Sequence, residues 1–197
     1  MLSSLQTISK YTPLSFVDNN QPHISPETPV HPFSTLNSQG YMLADLHKIS
    51  RAFVEFSSLA PGPVLDIGTA NGYVALEALK RGASVIANDM ESKHLENLRR
   101  RVPKKDLKRI SFVVGQVPWK VSISHYSLGA VLASGVLHYL SPIDFSFAIK
   151  NIATWLKSGG KFFLATPSPY TNVYQKIFSI SKPLSSNSSV ILFSSRR

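Results

Sequence analysis

The chain has 197 residues, no cysteine and a formal net charge of +10. That length suits one ordinary domain with an appendage rather than two domains, and the lack of cysteine excludes disulfides, thiolate metal sites and cysteine nucleophiles. The excess of Lys and Arg predicts attraction to polyanions and does not bear on fold.

Met1 to Phe16 has no continuous apolar core of the kind a secretory leader needs, so an intracellular, cytoplasmic protein is expected. Five prolines between Pro13 and Pro32, spaced by Asn, Gln, Ser and Thr, exclude a regular helix or a central strand there. Residues 1–40 are therefore taken as a Pro-rich arm. Next, Leu46, Ile49, Phe53 and Phe56 recur at intervals of three and four with charged residues between them, which predicts an amphipathic helix. The segment APGPVLDIG then breaks the helix and leads into a short branched run, Val64 to Ile67, that suits a buried strand.

From there strands and helices alternate. Tyr73 to Arg81 predicts a helix stopped by Gly82, ASVIAND a second strand, Ser92 to Val102 a helix closed before Pro103, and ISFVVG a third strand. LGAVLAS, Leu128 to Ser134, is a fourth. Ser141, Pro142 and Asp144 make a helix start with capping-box spacing and proline in the first turn. Ile149, Ile152 and Leu156 supply part of that helix's apolar face up to Gly159-Gly160, and KFFLAT is a fifth strand. Val121 to Ile143 carries no charged residue and is long enough to resemble a membrane span. Its serines, His125, His138, two glycines and Pro142 favour a buried strand with its connector, so no membrane partner is expected. The alternation implies an α/β fold, a doubly wound, mainly parallel sheet with helices on both faces. Residues 41–178 form this domain, and 179–197, with eight serines and the apolar run VILF, break the pattern.

Ligands of such sheets sit at the carboxyl ends of the strands, near the switch in strand order. Two acids and two glycines fall there: Asp66 in the first strand, Gly68 and Gly72 in the following turn, and Asp89 ending the second strand. An acid at the end of the second strand suits a ribose diol, whose two hydroxyls both donate to one carboxylate. A phosphate-cradling loop would need Lys then Ser or Thr after Gly72, where Tyr73 and Val74 stand. A dinucleotide fingerprint would need glycine at Ala70 and Tyr73. The carboxylate inside the first strand repels a diphosphate and attracts a cationic or zwitterionic ligand.

With these motifs in place, the chain from about Pro63 to Tyr170 resembles the class I S-adenosylmethionine-dependent methyltransferases. VLDIGTANG is similar to their first motif, VIAND to the ribose-binding strand, FVVGQV to the third-strand motif, LGAVLASGVLHYLSP to the fourth strand with its following segment, and GGKFFLATPSPY to the fifth. The resemblance implies S-adenosylmethionine as cofactor. The turn of Gly68, Thr69, Ala70 and Gly72 would accommodate its methionine portion, with Asp66 orienting it. Asp89 would take the ribose, Met90 would lie against the adenine, and Gln116 with Val117 would hold its far edge. Ser134 and Gly135 are placed in the same crevice. The family usually has an acid where Gln116 stands, and an amide oxygen can accept the same hydrogen bond. Family sheets also finish with two further strands, so the last strands here are expected to be incomplete, with VILF able to supply one.

His138, beside the expected pocket, is a candidate general base or a packed histidine; no catalytic residue is assigned. The histidines are scattered without metal-ligand spacing. Between Lys93 and Arg109 there are eight basic residues against two acids. They read as a solvated face, with nucleic-acid binding as the alternative. The expected activity is methyl transfer to a small-molecule acceptor, because ASGVLHYL is not the Asp/Asn-Pro-Pro-Tyr/Phe motif associated with amino groups of bases. The alternative is a degenerate binding module that uses its basic face on RNA or another polyanion.

Overall fold

The computed structural model describes residues 33–34, 41–42, 46–166 and 190–194. The order of elements begins with a short antiparallel pair, β1 (Phe33–Ser34) and β2 (Tyr41–Met42). The rest of the Pro-rich arm, and 179–189 of the Ser-rich segment, lie outside the described residues. Helix α1 (Lys48–Ser57) follows, then β3 (Val64–Ile67), α2 (Tyr73–Lys80), β4 (Val85–Asp89), α3 (Ser92–Arg101), β5 (Ile110–Val114), β6 (Leu128–Ser134), α4 (Pro142–Trp155), β7 (Leu156–Ala165) and β8 (Val190–Ser194).

Strands β3 to β8 form one sheet in the order β5-β4-β3-β6-β7-β8. The pairs among the first five are parallel and β8 runs antiparallel on β7. This is the expected doubly wound α/β fold. The chain starts in the middle at β3, winds outward to β5, then returns to β6, so the switch point lies between β3 and β6. The run VILF does supply an edge strand, with Phe163 opposite Leu192.

Alternation along each strand splits the core in two. Val64, Ala130, Leu132 and Phe163 face α1, α2 and α3, whereas Leu65, Val131, Phe162 and Leu164 face α4. Both sides of every central strand are thus covered, which is why these strands read as unbroken apolar runs rather than alternating ones. Phe53 of α1 is fully buried and meets Phe163 edge-on, 5.6 Å between ring centres.

Helix α4 starts as its sequence requires. The Ser141 hydroxyl accepts from the Asp144 N–H at 3.1 Å, and Pro142 occupies the first turn. Its end differs from expectation. Leu156, assigned to the helix face, already belongs to β7 and pairs with Leu128. Strand β7 then slips register between Leu128 and Ala130, with Gly159 at a φ of 75°. Pairing with β6 overrides the helical periodicity, which a single sequence does not reveal. A 3-10 helix at Lys104–Arg109 was also not foreseen. The uncharged stretch Val121 to Ile143 contains β6 and its connectors, and no helix among the described residues is long and apolar enough to cross a membrane.

Candidate functional site

Parallel pairing lines up the strand ends. Ile67 sits beside both Asn88 and Ala133, and Asp89 beside Val114. The next residues across the carboxyl edge are therefore Ser134, Gly68 and Asp89, in a row at the switch point. Register thus brings together Asp89 and Ser134 from the residues assigned by sequence, with Asp66 two residues before Gly68 on β3.

The turn from β3 into α2 is tightly specified. Gly68 and Gly72 have φ of 68° and 72°, and Ala70 between them has 46°, a region costly for a residue with a side chain. Several bonds hold it. The Thr69 N–H donates to the Asn88 carbonyl at 2.9 Å, the Gly72 N–H to the Thr69 carbonyl at 2.8 Å, and the Ala70 N–H to Asp89 Oδ2 at 2.9 Å. The carboxylate of Asp89 thus fastens the strained turn to β4. Its Oδ1 accepts from the Glu91 N–H at 2.9 Å and lies 3.2 Å from Nδ1 of the buried His94.

The turn was expected to accommodate the methionine portion of the ligand. The structure shows a packing reason for its glycines: a Cβ at Gly68 would lie 2.2 Å from Val136 Cγ1, and one at Gly72 would lie 2.3 Å from Leu98 Cδ1. Val136 and Leu98 are thus the residues that close against the turn. Gly135, by contrast, has nothing within 4 Å of the place a Cβ would take, so this side of the crevice is open.

Asp66 is buried, and its Oδ2 accepts the Thr69 hydroxyl at 2.7 Å. Burial pushes its carboxyl from an ordinary 3.8 up to about 7; the Thr69 bond opposes the rise and the nearby Asp89 adds to it. The group is therefore poised to give up its proton when a positive charge arrives.

The other assigned residues divide. Met90 is 46% exposed and Gln116 is exposed at the rim, both open to a ligand. Val117 is buried in the core against α4 and offers the crevice its backbone alone. The segment after it is fixed to α4: the Trp119 Nε1–H donates to Asp144 Oδ1 at 2.8 Å, and the Asn151 side chain donates to the Pro118 carbonyl at 3.1 Å. His138 stacks on Tyr139, and burial lowers its pKa.

Two supporting residues had no sequence signal. Arg101 donates to the Asn71 carbonyl at 2.5 Å with its guanidinium 4.8 Å from the Tyr73 ring centre, clamping the turn from the end of α3. Arg109 donates to Asp106 Oδ1 and to the Ala83 and Leu79 carbonyls. These two arginines of the basic stretch thus also make contacts within the domain, Arg101 while exposed to solvent. Arg101→Gln is expected to lower ligand affinity by roughly threefold to tenfold without loss of fold, since a charged hydrogen bond contributes about 1 kcal/mol or more. Calorimetry beside a thermal melt would check it, and unchanged affinity would remove the clamp.

Residues 64–160 match a family model described as a methyltransferase domain. The S-adenosylmethionine-dependent methyltransferase from Mesorhizobium loti is 23% identical, over 61% of this chain and 52% of its own, with a TM-score of 0.53. The CcbJ methyltransferase from Streptomyces caelestis is 22% identical, over 64% and 56%, with a TM-score of 0.56. The 1,6-didemethyltoxoflavin-N1-methyltransferase from Burkholderia thailandensis is 22% identical, over 61% and 53%, with a TM-score of 0.51. This chain spans little more than half the length of each, and at these identities the likeness is one of fold. No curated protein matches it. Residues 64–160 thus match a methyltransferase domain, and the fold around them is that of the solved S-adenosylmethionine-dependent methyltransferase structures.

Proposed function

We propose that this protein moves the methyl group of S-adenosylmethionine to a small-molecule acceptor. The observation that carries the proposal is the row at the carboxyl edge, where Asp66 and Asp89 flank a turn that Asp89 itself holds in place. The residues present fit the cofactor: a buried acid inside the first strand suits an ammonium or a sulfonium and repels a diphosphate, and Asp89 ends the second strand where a ribose diol can donate to it.

When bound, the cofactor supplies an already activated methyl, so transfer is an in-line displacement that leaves a neutral thioether and moves the acceptor's proton to solvent or a nearby base. The chain's own part is to bind, orient and exclude water. Asp66 gives up its proton and holds the ammonium. Asp89 accepts the ribose hydroxyls while fixing Ala70. Met90 and the Gln116–Val117 segment border the adenine. Neutral His138, in the turn after β6, is available to accept the proton the acceptor loses, although its ring is no requirement of the displacement.

A small acceptor is supported by the segment after β6, ASGVLHYL, which lacks the base-reading motif, and by the Burkholderia neighbour, which was crystallised with 1,6-didemethyltoxoflavin and S-adenosylhomocysteine. Neither the matched family nor these neighbours supports the polyanion-binding alternative, and Arg101 and Arg109 are spent on internal contacts.

The test is calorimetry of the full chain with adenosylhomocysteine, together with transfer of labelled methyl to candidate acceptors. Binding is expected, and Asp89→Asn should weaken it by roughly tenfold to 100-fold as a charged acceptor of two hydroxyls becomes neutral. Occupation by NAD or ATP with adenosylhomocysteine ignored would overturn the proposal.

A further inference from the structure

His47 immediately precedes α1 and serves as its N-cap, a position that Ser, Thr, Asp or Asn usually fills. Its Nδ1 accepts from the Ile49 N–H at 3.2 Å and, more weakly, from the Ser50 N–H at 3.4 Å. A ring nitrogen that accepts cannot carry a proton, so in the neutral ring the proton is on Nε2. Nε2 lies 2.7 Å from Ser134 Oγ, with Ser50 Oγ a longer 3.3 Å away. The helix cap therefore decides the direction of the next bond: Nε2–H donates and Ser134 Oγ accepts.

A hydroxyl has one proton. With His47 donating to its oxygen, Ser134 is left to donate its proton elsewhere, and no other side-chain bond to it is found among the described residues. Ser134 is the last residue of β6, on the same face as Leu132 and hence as α1, and it stands beside Gly68. Asp66 points to that same face two residues earlier on the neighbouring strand. One side of Gly68 thus carries a carboxylate and the other a hydroxyl whose free function is donation. An α-amino acid end, with its ammonium and its carboxylate, is the complementary ligand.

We propose that His47 is a positioning residue that orients the Ser134 hydroxyl to donate to the amino-acid carboxylate of S-adenosylmethionine. The proposal rests on the cofactor assignment above, adds His47 to it and gives a role to Ser134, 87 positions away in sequence. It also gives a reason for an unusual cap: Asn or Ser would hold the helix equally well but would not reach Ser134.

The test compares two nucleosides on the full chain, adenosylhomocysteine and 5′-methylthioadenosine, which lacks the amino-acid end. His47→Asn keeps an N-cap acceptor, so the thermal melt should be unchanged. Its affinity for adenosylhomocysteine should fall roughly tenfold, with affinity for methylthioadenosine unaltered. Ser134→Ala should show the same split, and the double variant should lose no more than Ser134→Ala alone. Nitrogen-15 spectra of the His47 ring should show the proton on Nε2. Equal weakening of both nucleosides, no weakening of either, additive losses, or a proton on Nδ1 would each overturn the proposal. If His47→Asn melts early, the Ser134→Ala split and the ring spectra decide. Wild-type protein that binds neither nucleoside would instead refute the cofactor assignment, and this inference would fall with it.

Discussion

Asp66→Asn is expected to change how stability depends on pH. In the folded protein burial holds the Asp66 carboxyl at about 7, against an ordinary 3.8. Between those values the native state keeps a proton that the unfolded chain has released, so the Asp66 contribution is fully present below about pH 4 and is lost as pH rises through about 7. The gap corresponds to a cost on the order of 4 kcal/mol for ionising Asp66 in the fold. Asparagine has no such ionisation and can still accept the Thr69 hydroxyl. Denaturant titrations should therefore show variant and wild type close together near pH 4, with the variant gaining on wild type up to pH 7 and holding that gain above it. Parallel curves would mean that Asp66 is ionised throughout.

The same group links pH to binding. A ligand ammonium beside Asp66 favours the carboxylate, so adenosylhomocysteine binding below pH 7 should release a proton and strengthen as pH rises. Calorimetry in buffers of different ionisation enthalpy reads that proton directly. Asp66→Asn should abolish the release and weaken binding, trading function for stability at one buried side chain.

Gly68→Ala is the second large expected effect. The φ of 68° alone costs an alanine roughly 1–2 kcal/mol, and its Cβ would stand 2.2 Å from Val136 Cγ1. Overpacking adds about 1–3 kcal/mol more. Pairing it with Val136→Ala removes the clash but leaves the backbone cost, so the double variant should recover part of the lost stability and never all of it. Full recovery would show that the left-handed backbone is not a constraint. No recovery would show that Val136 is not what meets the new methyl.

These two residues mark the division between what the sequence carries and what it does not. Asp66, Gly68, Gly72 and Asp89 were legible because they stand within 24 residues in an order that follows one strand, one turn and the next strand. The chemistry of the ligand follows from the same span, since an acid inside the first strand disfavours phosphate. The strand and helix sequence from β3 to β6 was legible for a similar reason: each element is a local run whose ends are set by glycine, proline or a cap.

What is not local was decided by the fold. The end of α4 moved because Leu156 pairs with Leu128, a contact that periodicity within the helix cannot express. Gly68 and Gly72 were recognised as parts of the turn, but that their missing side chains make room for Val136 and Leu98 came from the fold. Arg101 and His47 carried no signal at all, because a cationic residue in a basic run and a histidine before a helix are ordinary until the chain brings Asn71 and Ser134 to them. The sequence by itself determined the parallel α/β pattern and the acid-glycine-acid motif, for both are written in neighbouring residues. Only the tertiary structure decided which distant side chains fix that motif, since a hydrogen bond depends on where strand register and helix packing place its two ends.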